Sequence, residues 1–215
     1  MEHAAALPPR GSDNSCLNVI DDLVDHGYSV RPGFLAPELV AGLRRELRLL
    51  HRGERLRAAR IGKDEQEQLR RDIRGDQIRW LEGETPVQRA FLDQMDALRE
   101  TLNRELFLGL EDFEAHFALY PPGTHYQRHL DSFDNNNLRR VTIVAYLNAR
   151  WHPWDGGELR LYDGNTVFAS ILPEAGTLIT FMSERIPHEV AVTHRNRMSI
   201  AGWFRVRPLA EATIV

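Results

Sequence analysis

Turn-forming clusters cut the second half of this sequence into pieces too short for helices: Pro121-Pro122-Gly123, Asp155-Gly156-Gly157, Asp163-Gly164-Asn165 and Glu174-Ala175-Gly176. Proline fixes one backbone angle and glycine opens conformations closed to other residues, so such clusters reverse the chain. Between them the pattern predicts strands over residues 113–120, 139–148, 158–162, 177–181 and 197–206, with shorter pieces between. Several short strands joined by turns close into a sandwich or barrel, and a jelly roll is one such answer.

The first half reads as helical. Leu17, Ile20, Leu23 and Val24 follow helical spacing, with Gly27 as a stop, and an extended piece follows over 28–34. Pro37 suits a first helical position, ahead of Leu39, Leu43, Leu47 and Leu50 on one face. A third helix starts at Thr85 as cap, with Pro86 in the first turn and Gln88 in the third position of a capping box. Its stripe of Phe91, Met95, Leu98, Leu102 and Leu106 is a core face rather than a cofactor site, and Gly109 is the expected terminator. The expected fold is α+β: a single domain over 1–215, with an N-terminal helical buttress over about 15–110 packed on a jelly-roll core over about 111–207.

Composition narrows the function classes. With 42% hydrophobic and 27% charged residues the chain matches an ordinary globular protein. No apolar run approaches the ~20 residues of a membrane span, and the N-terminus lacks the basic start and apolar stretch of a signal peptide. Cys16, the single cysteine, excludes an internal disulfide and a multi-cysteine zinc site, so a reducing cytoplasm is expected. A net charge of −4 disfavours a general nucleic-acid coat, and the arginine-rich stretch over 44–74 reads as a solvated helical face and loop. Among the histidines, His3, His26 and His51 read as surface or structural.

His129-Leu130-Asp131 is different. On an extended strand, residues two apart project to the same face, so His129 and Asp131 can reach one ion together. Alone the pair is a weak signal. A remote histidine completing it gives the facial arrangement of non-haem Fe(II) oxygenases, with positions left open for substrate and oxygen. His188, in Ile186-Pro187-His188-Glu189-Val190, is the candidate, and Arg197 follows at the head of another strand. Alternation puts Arg197, Ser199, Ala201 and Trp203 on one face, with Met198, Ile200 and Phe204 on the other. An arginine facing into a barrel needs an anion to offset its charge, and a dicarboxylate held bidentately would supply one.

The set His129-X-Asp131, His188 and Arg197 resembles the 2-oxoglutarate/Fe(II)-dependent dioxygenases, particularly their prolyl-hydroxylase branch. The resemblance extends over roughly residues 20–207. It includes Asp72-Ile73-Arg74-Gly75-Asp76-Gln77-Ile78-Arg79-Trp80, the run from Tyr120 to His129, Tyr146-Leu147-Asn148 and Gly156-Gly157-Glu158-Leu159-Arg160. It implies a double-stranded β-helix core, Fe(II) on His129, Asp131 and His188, and 2-oxoglutarate and O2 as co-substrates with ascorbate supportive. It further implies that Arg197 and Tyr146 bind the distal carboxylate of 2-oxoglutarate and that Tyr120 contacts it nearer the iron. Thr142 and Val144 share the Tyr146 face and would line its pocket, while Trp203 would pack beside the distal histidine. Tyr146, Tyr120 and Trp203 also have plain roles as barrel core. The related halogenases lack the carboxylate, so Asp131 favours hydroxylation, with release of succinate and CO2.

Residues 52–80 form a long, charged, weakly periodic segment. In the resembling family this region is a finger over a peptide substrate, which implies roles for Arg74, Asp76 and Tyr126 in seating a prolyl-containing loop. For Asp76 and Tyr126 the alternative is a structural hydrogen bond. Bacterial members of the branch act on a prolyl residue of elongation factor Tu, which makes that protein the first substrate candidate. Three other readings stand beside it. One is a hydroxylase of a free amino acid or other small molecule. Another is an oxidative nucleic-acid demethylase, to which Arg205 could be recruited; the third is a non-catalytic jelly-roll binding module.

Overall fold

The computed structural model describes residues 13–60, 70–132 and 138–207. Three helices lead: α1 (Asp13–His26), α2 (Pro37–Arg52) and α3 (Pro86–Leu106), with β1 (Tyr28–Arg31) between the first two and the short β2 (Arg57–Ala58) and β3 (Gln77–Trp80) before the third. Eight strands follow: β4 (Leu110–Tyr120), β5 (Tyr126–His129), β6 (Arg139–Tyr146), β7 (Leu159–Asp163), β8 (Thr166–Ile171), β9 (Leu178–Met182), β10 (His188–Val190) and β11 (Arg197–Val206). Among the described residues, no helix is long and apolar enough to cross a membrane.

Helix ends follow local chemistry, with two departures from expectation. Gly27 takes the left-handed conformation after α1, as a stop requires. At α3 the Thr85 side chain accepts from the Gln88 amide, but the capping box does not close. Instead Gln88 Oε1 accepts from the amides of Glu82, Gly83 and Glu84, tying down the loop that enters the helix. The helix also stops earlier than Gly109: Phe107 itself adopts φ 53°, and its ring is left exposed.

The strands make two sheets in the order β1-β9-β6-β11-β4-β3-β2 and β5-β10-β7-β8. Period-two alternation gives the larger sheet two apolar faces. Phe117, Leu119, Val141, Ile143, Met198, Ile200 and Phe204 pack against the buried stripes of the helices, including Leu43, Leu47, Phe91, Met95 and Leu98. Tyr120, Val144, Tyr146, Ile179 and Phe181 turn the other way, against Leu159, Leu161 and Val190 of the smaller sheet. Each such side chain buried contributes about 1.5–3 kcal/mol, so the two layers hold the sandwich together from both sides. This is a double-stranded β-helix with a helical buttress.

Packing is tight where β11 crosses β4. A Cβ added at Gly202 would lie 2.5 Å from Phe113 Cζ, and Phe113 is in turn packed on Phe204, ring centroids 4.7 Å apart. Gly202→Ala should therefore destabilise the fold by roughly 1–3 kcal/mol. That corresponds to a fall in Tm of about 3–10 °C, readable by calorimetry. An unchanged Tm would mean that Phe113 moves aside freely.

Candidate active site

Strand register explains how two distant histidines meet. β10 runs antiparallel to β5, and His188 is the direct partner of His129. Their ring centroids lie 4.3 Å apart. Asp131 arrives differently from expectation: β5 ends at His129, and Asp131 reaches the same point from the bend beyond it. His129 Nε2 is 3.5 Å from Asp131 Oδ1, and His188 Nε2 is 3.6 Å from Asp131 Oδ2.

The second nitrogen of each ring fixes its tautomer. His129 Nδ1 donates to the Gln127 carbonyl at 2.8 Å, and His188 Nδ1 to the Ile186 carbonyl at 3.1 Å. The hydrogen on Nδ1 leaves each Nε2 lone pair facing the carboxylate. Tyr126 stacks on His129 at 3.7 Å, and Phe181 meets His188 edge-on at 4.8 Å, so neither ring is loose. Burial pushes the His188 pKa down to about 4, which keeps it neutral near pH 7. Burial alone would raise the Asp131 pKa, but the His188 and His129 rings, when protonated, outweigh it and hold the carboxyl well below its ordinary range.

Deeper between the sheets, Arg197 at the head of β11 is 1% exposed. Its Nε donates to the Gly157 carbonyl at 2.8 Å, Nη1 to Ser199 Oγ at 3.2 Å, and Nη2 to the Tyr146 hydroxyl at 3.4 Å. The guanidinium lies over the rings of Tyr120 and Tyr146, 5.1 and 5.0 Å from their centroids. Among the described residues no carboxylate pairs with it. Gly157 makes room for this seat: its φ is +72°, and a Cβ there would come 3.0 Å from Arg197 Cδ.

Other expected residues sit in places that reshape their roles. Thr142 points at the metal ligand, its hydroxyl 2.8 Å from Asp131 Oδ2. Trp203 lies against His116 and carries the Arg139 guanidinium 3.6 Å from its ring, with its indole N–H facing Asp131 rather than its ring flanking His188. That buried N–H completes no hydrogen bond among the described residues. Asp76 is 2% exposed, and Arg74 donates to both of its oxygens at 2.7 and 3.0 Å, so it cannot meet a substrate directly. It holds Arg74 over the Tyr126 ring at 4.8 Å. Of the finger segment over 52–80, residues 61–69 lie outside the described residues. Ser183, His116 and Arg139 join the site with no local sequence signal to single them out.

A family model described as the 2OG-Fe(II) oxygenase superfamily matches residues 115–205. A solved prolyl-4-hydroxylase from Pseudomonas putida is 44% identical, with TM-score 0.82 over 89% of this chain and 99% of that one. This chain belongs to the prolyl-hydroxylase branch of the 2OG-Fe(II) oxygenases. A prolyl hydroxylase from Trichoplax adhaerens, solved in complex with a hypoxia inducible factor oxygen degradation domain peptide fragment, is 28% identical, with TM-score 0.80 over 89% of each chain. Egl nine homolog 1 of Homo sapiens is 34% identical over 188 residues, 83% of this chain and 44% of that protein. The chain thus spans about half the length of the first curated relatives that it matches.

The donor set fits the family's metal. Two imidazole nitrogens and one carboxylate, all within 4.8 Å of one another, are the ligand types that suit Fe(II). They are electron-pair donors gathered in a largely buried place, which a cation would relieve. Arg197 likewise fits the distal carboxylate of 2-oxoglutarate, being a buried cation flanked by a hydroxyl and two aromatic faces.

His116 gives the fold an acid-sensitive point. Burial chiefly, then the Arg74 charge, lowers its pKa from 6.5 to about 4. Between those values the unfolded chain takes up a proton that the fold refuses, so stability is full above pH 6.5 and falls as pH drops toward 4. The loss at this site is of order 3 kcal/mol. It should appear as a Tm falling with pH that is flatter in His116→Phe. An equally steep fall in that variant would assign it to other groups.

Proposed function

We propose that this oxygenase hydroxylates a prolyl residue in a protein substrate, consuming 2-oxoglutarate and O2 and releasing succinate and CO2. The observation that carries the reading is that the His129-Asp131-His188 cluster and a buried, anion-seeking Arg197 both face the layer between the two sheets, the cluster against Phe181 and the arginine against Tyr120 and Tyr146. Bound Fe(II) would supply the oxidising chemistry that couples decarboxylation of the co-substrate to oxygen insertion into a C–H bond. The protein's own groups do the placing. His129, Asp131 and His188 would hold the ion, as three donors that do not fill its coordination. Arg197 and the Tyr146 hydroxyl grip the far carboxylate, and Tyr120 packs its ring against the guanidinium. Ascorbate would sustain the metal's reduced state between turnovers.

A protein substrate is favoured over a free amino acid by the relatives, since the Trichoplax enzyme holds a peptide fragment. Tyr126, half-buried on β5 and stacked on His129 against Arg74 of the finger segment, is the group best set to meet a prolyl ring. Asp76 acts behind it by fixing Arg74. Elongation factor Tu is the first candidate substrate and the cytoplasm the proposed compartment, in keeping with a sequence whose single cysteine allows no internal disulfide. The test is mass spectrometry of cellular proteins with and without this enzyme. It should find a tryptic peptide of elongation factor Tu whose proline gains one oxygen only when the enzyme is present. Oxygen gained on free proline alone would favour the small-molecule reading instead.

A further inference from the structure

We infer that Ser183 and Thr142 form a two-hydroxyl relay that positions the Asp131 carboxylate for metal binding. The inference rests on the metal-site reading above and deepens it. Thr142 Oγ1 lies 2.8 Å from Asp131 Oδ2 and 2.8 Å from Ser183 Oγ. A hydroxyl carries one hydrogen, and an ionised carboxylate only accepts. Thr142 therefore donates to Asp131 and must accept from Ser183, which fixes the direction Ser183 to Thr142 to Asp131. Thr142 is 1% exposed and Ser183 0%, so bulk water does not reach in to replace either hydroxyl.

The fold builds this relay from two adjacent strands. Thr142 on β6 is the register partner of Phe181 on β9 and of Trp203 on β11. Alternation sends Ile179 and Phe181 inward, and Ser183, just past the end of β9, follows them. The need for it is local. The two histidines are aimed by hydrogen bonds from Nδ1 to their own backbone, from strands paired with each other. Asp131 sits in a bend beyond β5, outside that register, and the Thr142 hydroxyl donates to its carboxylate. Ser183 and Thr142 are thus positioning residues, and the Thr142 role differs from lining the co-substrate pocket.

The test is direct binding of Mn(II) alone to the purified full chain, followed by loss of the free ion's paramagnetic resonance signal, with folding checked by Tm. Thr142→Val removes the hydroxyl and keeps the shape, and should weaken Mn(II) binding by about tenfold. Thr142→Ser keeps the hydroxyl and should stay within about twofold of wild type. Ser183→Ala removes only the outer donor and should cost roughly threefold. With metal saturating, the 2-oxoglutarate KM of Thr142→Val should stay near wild type. Wild-type affinity in Thr142→Val, or a Thr142→Ser variant as weak as Thr142→Val, overturns the relay and leaves the metal site standing. A wild-type protein that binds no Mn(II) overturns both. Should Thr142→Val fail to fold, Ser183→Ala decides, and unchanged affinity there overturns the relay.

Discussion

Arg197→Ala is expected to raise the 2-oxoglutarate concentration for half-maximal turnover by about one to two orders of magnitude, while Mn(II) or Fe(II) binding holds. The size follows from losing a charge-assisted, bidentate contact, worth about 1.5–3 kcal/mol, where each 1.4 kcal/mol is about tenfold. The direction follows from position. Arg197 contacts Gly157, Ser199 and Tyr146, none of them a metal ligand, so the ion should not notice its removal directly. A second readout needs no turnover. Saturating 2-oxoglutarate, at about a hundred times its Kd, should stabilise wild type by about 2.7 kcal/mol, a rise in Tm of about 5–10 °C. Arg197→Ala should lose most of that rise. If its Tm response and its co-substrate dependence both matched wild type, the carboxylate would have to bind elsewhere.

The second large effect is at the ligands. His129→Ala, Asp131→Ala and His188→Ala should each bring turnover below detection, because two remaining donors hold a divalent ion poorly. They should differ in stability. His188 is buried and paired across the sheet with His129, so His188→Ala leaves a cavity beside Phe181 and Ile186 and lowers Tm. His129 is nearer the surface, and its alanine variant should lose metal with less damage to the fold. Metal titration beside thermal melting separates the two losses. A His129→Ala protein with normal turnover would remove this residue from the site.

The fold was legible where periodicity and turn chemistry agreed. The strand over 197–206 matches β11 to the residue, and the face holding Arg197 and Ser199 does turn away from the helix-packed face of Met198, Ile200 and Phe204. β3 was not legible: Gln77-Ile78-Arg79-Trp80 alternates polar and apolar, but four residues inside a long charged segment are too short a pattern to mark a strand, and pairing with β4 makes it one. β8 was missed in the same way, since Thr166 to Ile171 is largely exposed and takes its shape from the β7 ladder. At the site, the residue identities His129, Asp131, His188 and Arg197 could be read from the sequence, but their geometry could not. The spacing suggested one strand face for His129 and Asp131, whereas the strand ends between them. Whether Thr142 faces co-substrate or carboxylate depends on where Asp131 lies, which no local pattern records. Ser183 and His116 are invisible for the same reason: their significance is a neighbour far away in sequence.

The central claim is that this chain turns over 2-oxoglutarate at the His129-Asp131-His188 cluster. The most direct measurement is succinate formed from labelled 2-oxoglutarate by the purified protein supplied with Fe(II) and ascorbate. Succinate should appear with wild type, increase when a prolyl-bearing target protein is added, and be absent with His129→Ala. No succinate from the folded, iron-supplied wild type, with target proteins present, would contradict the account.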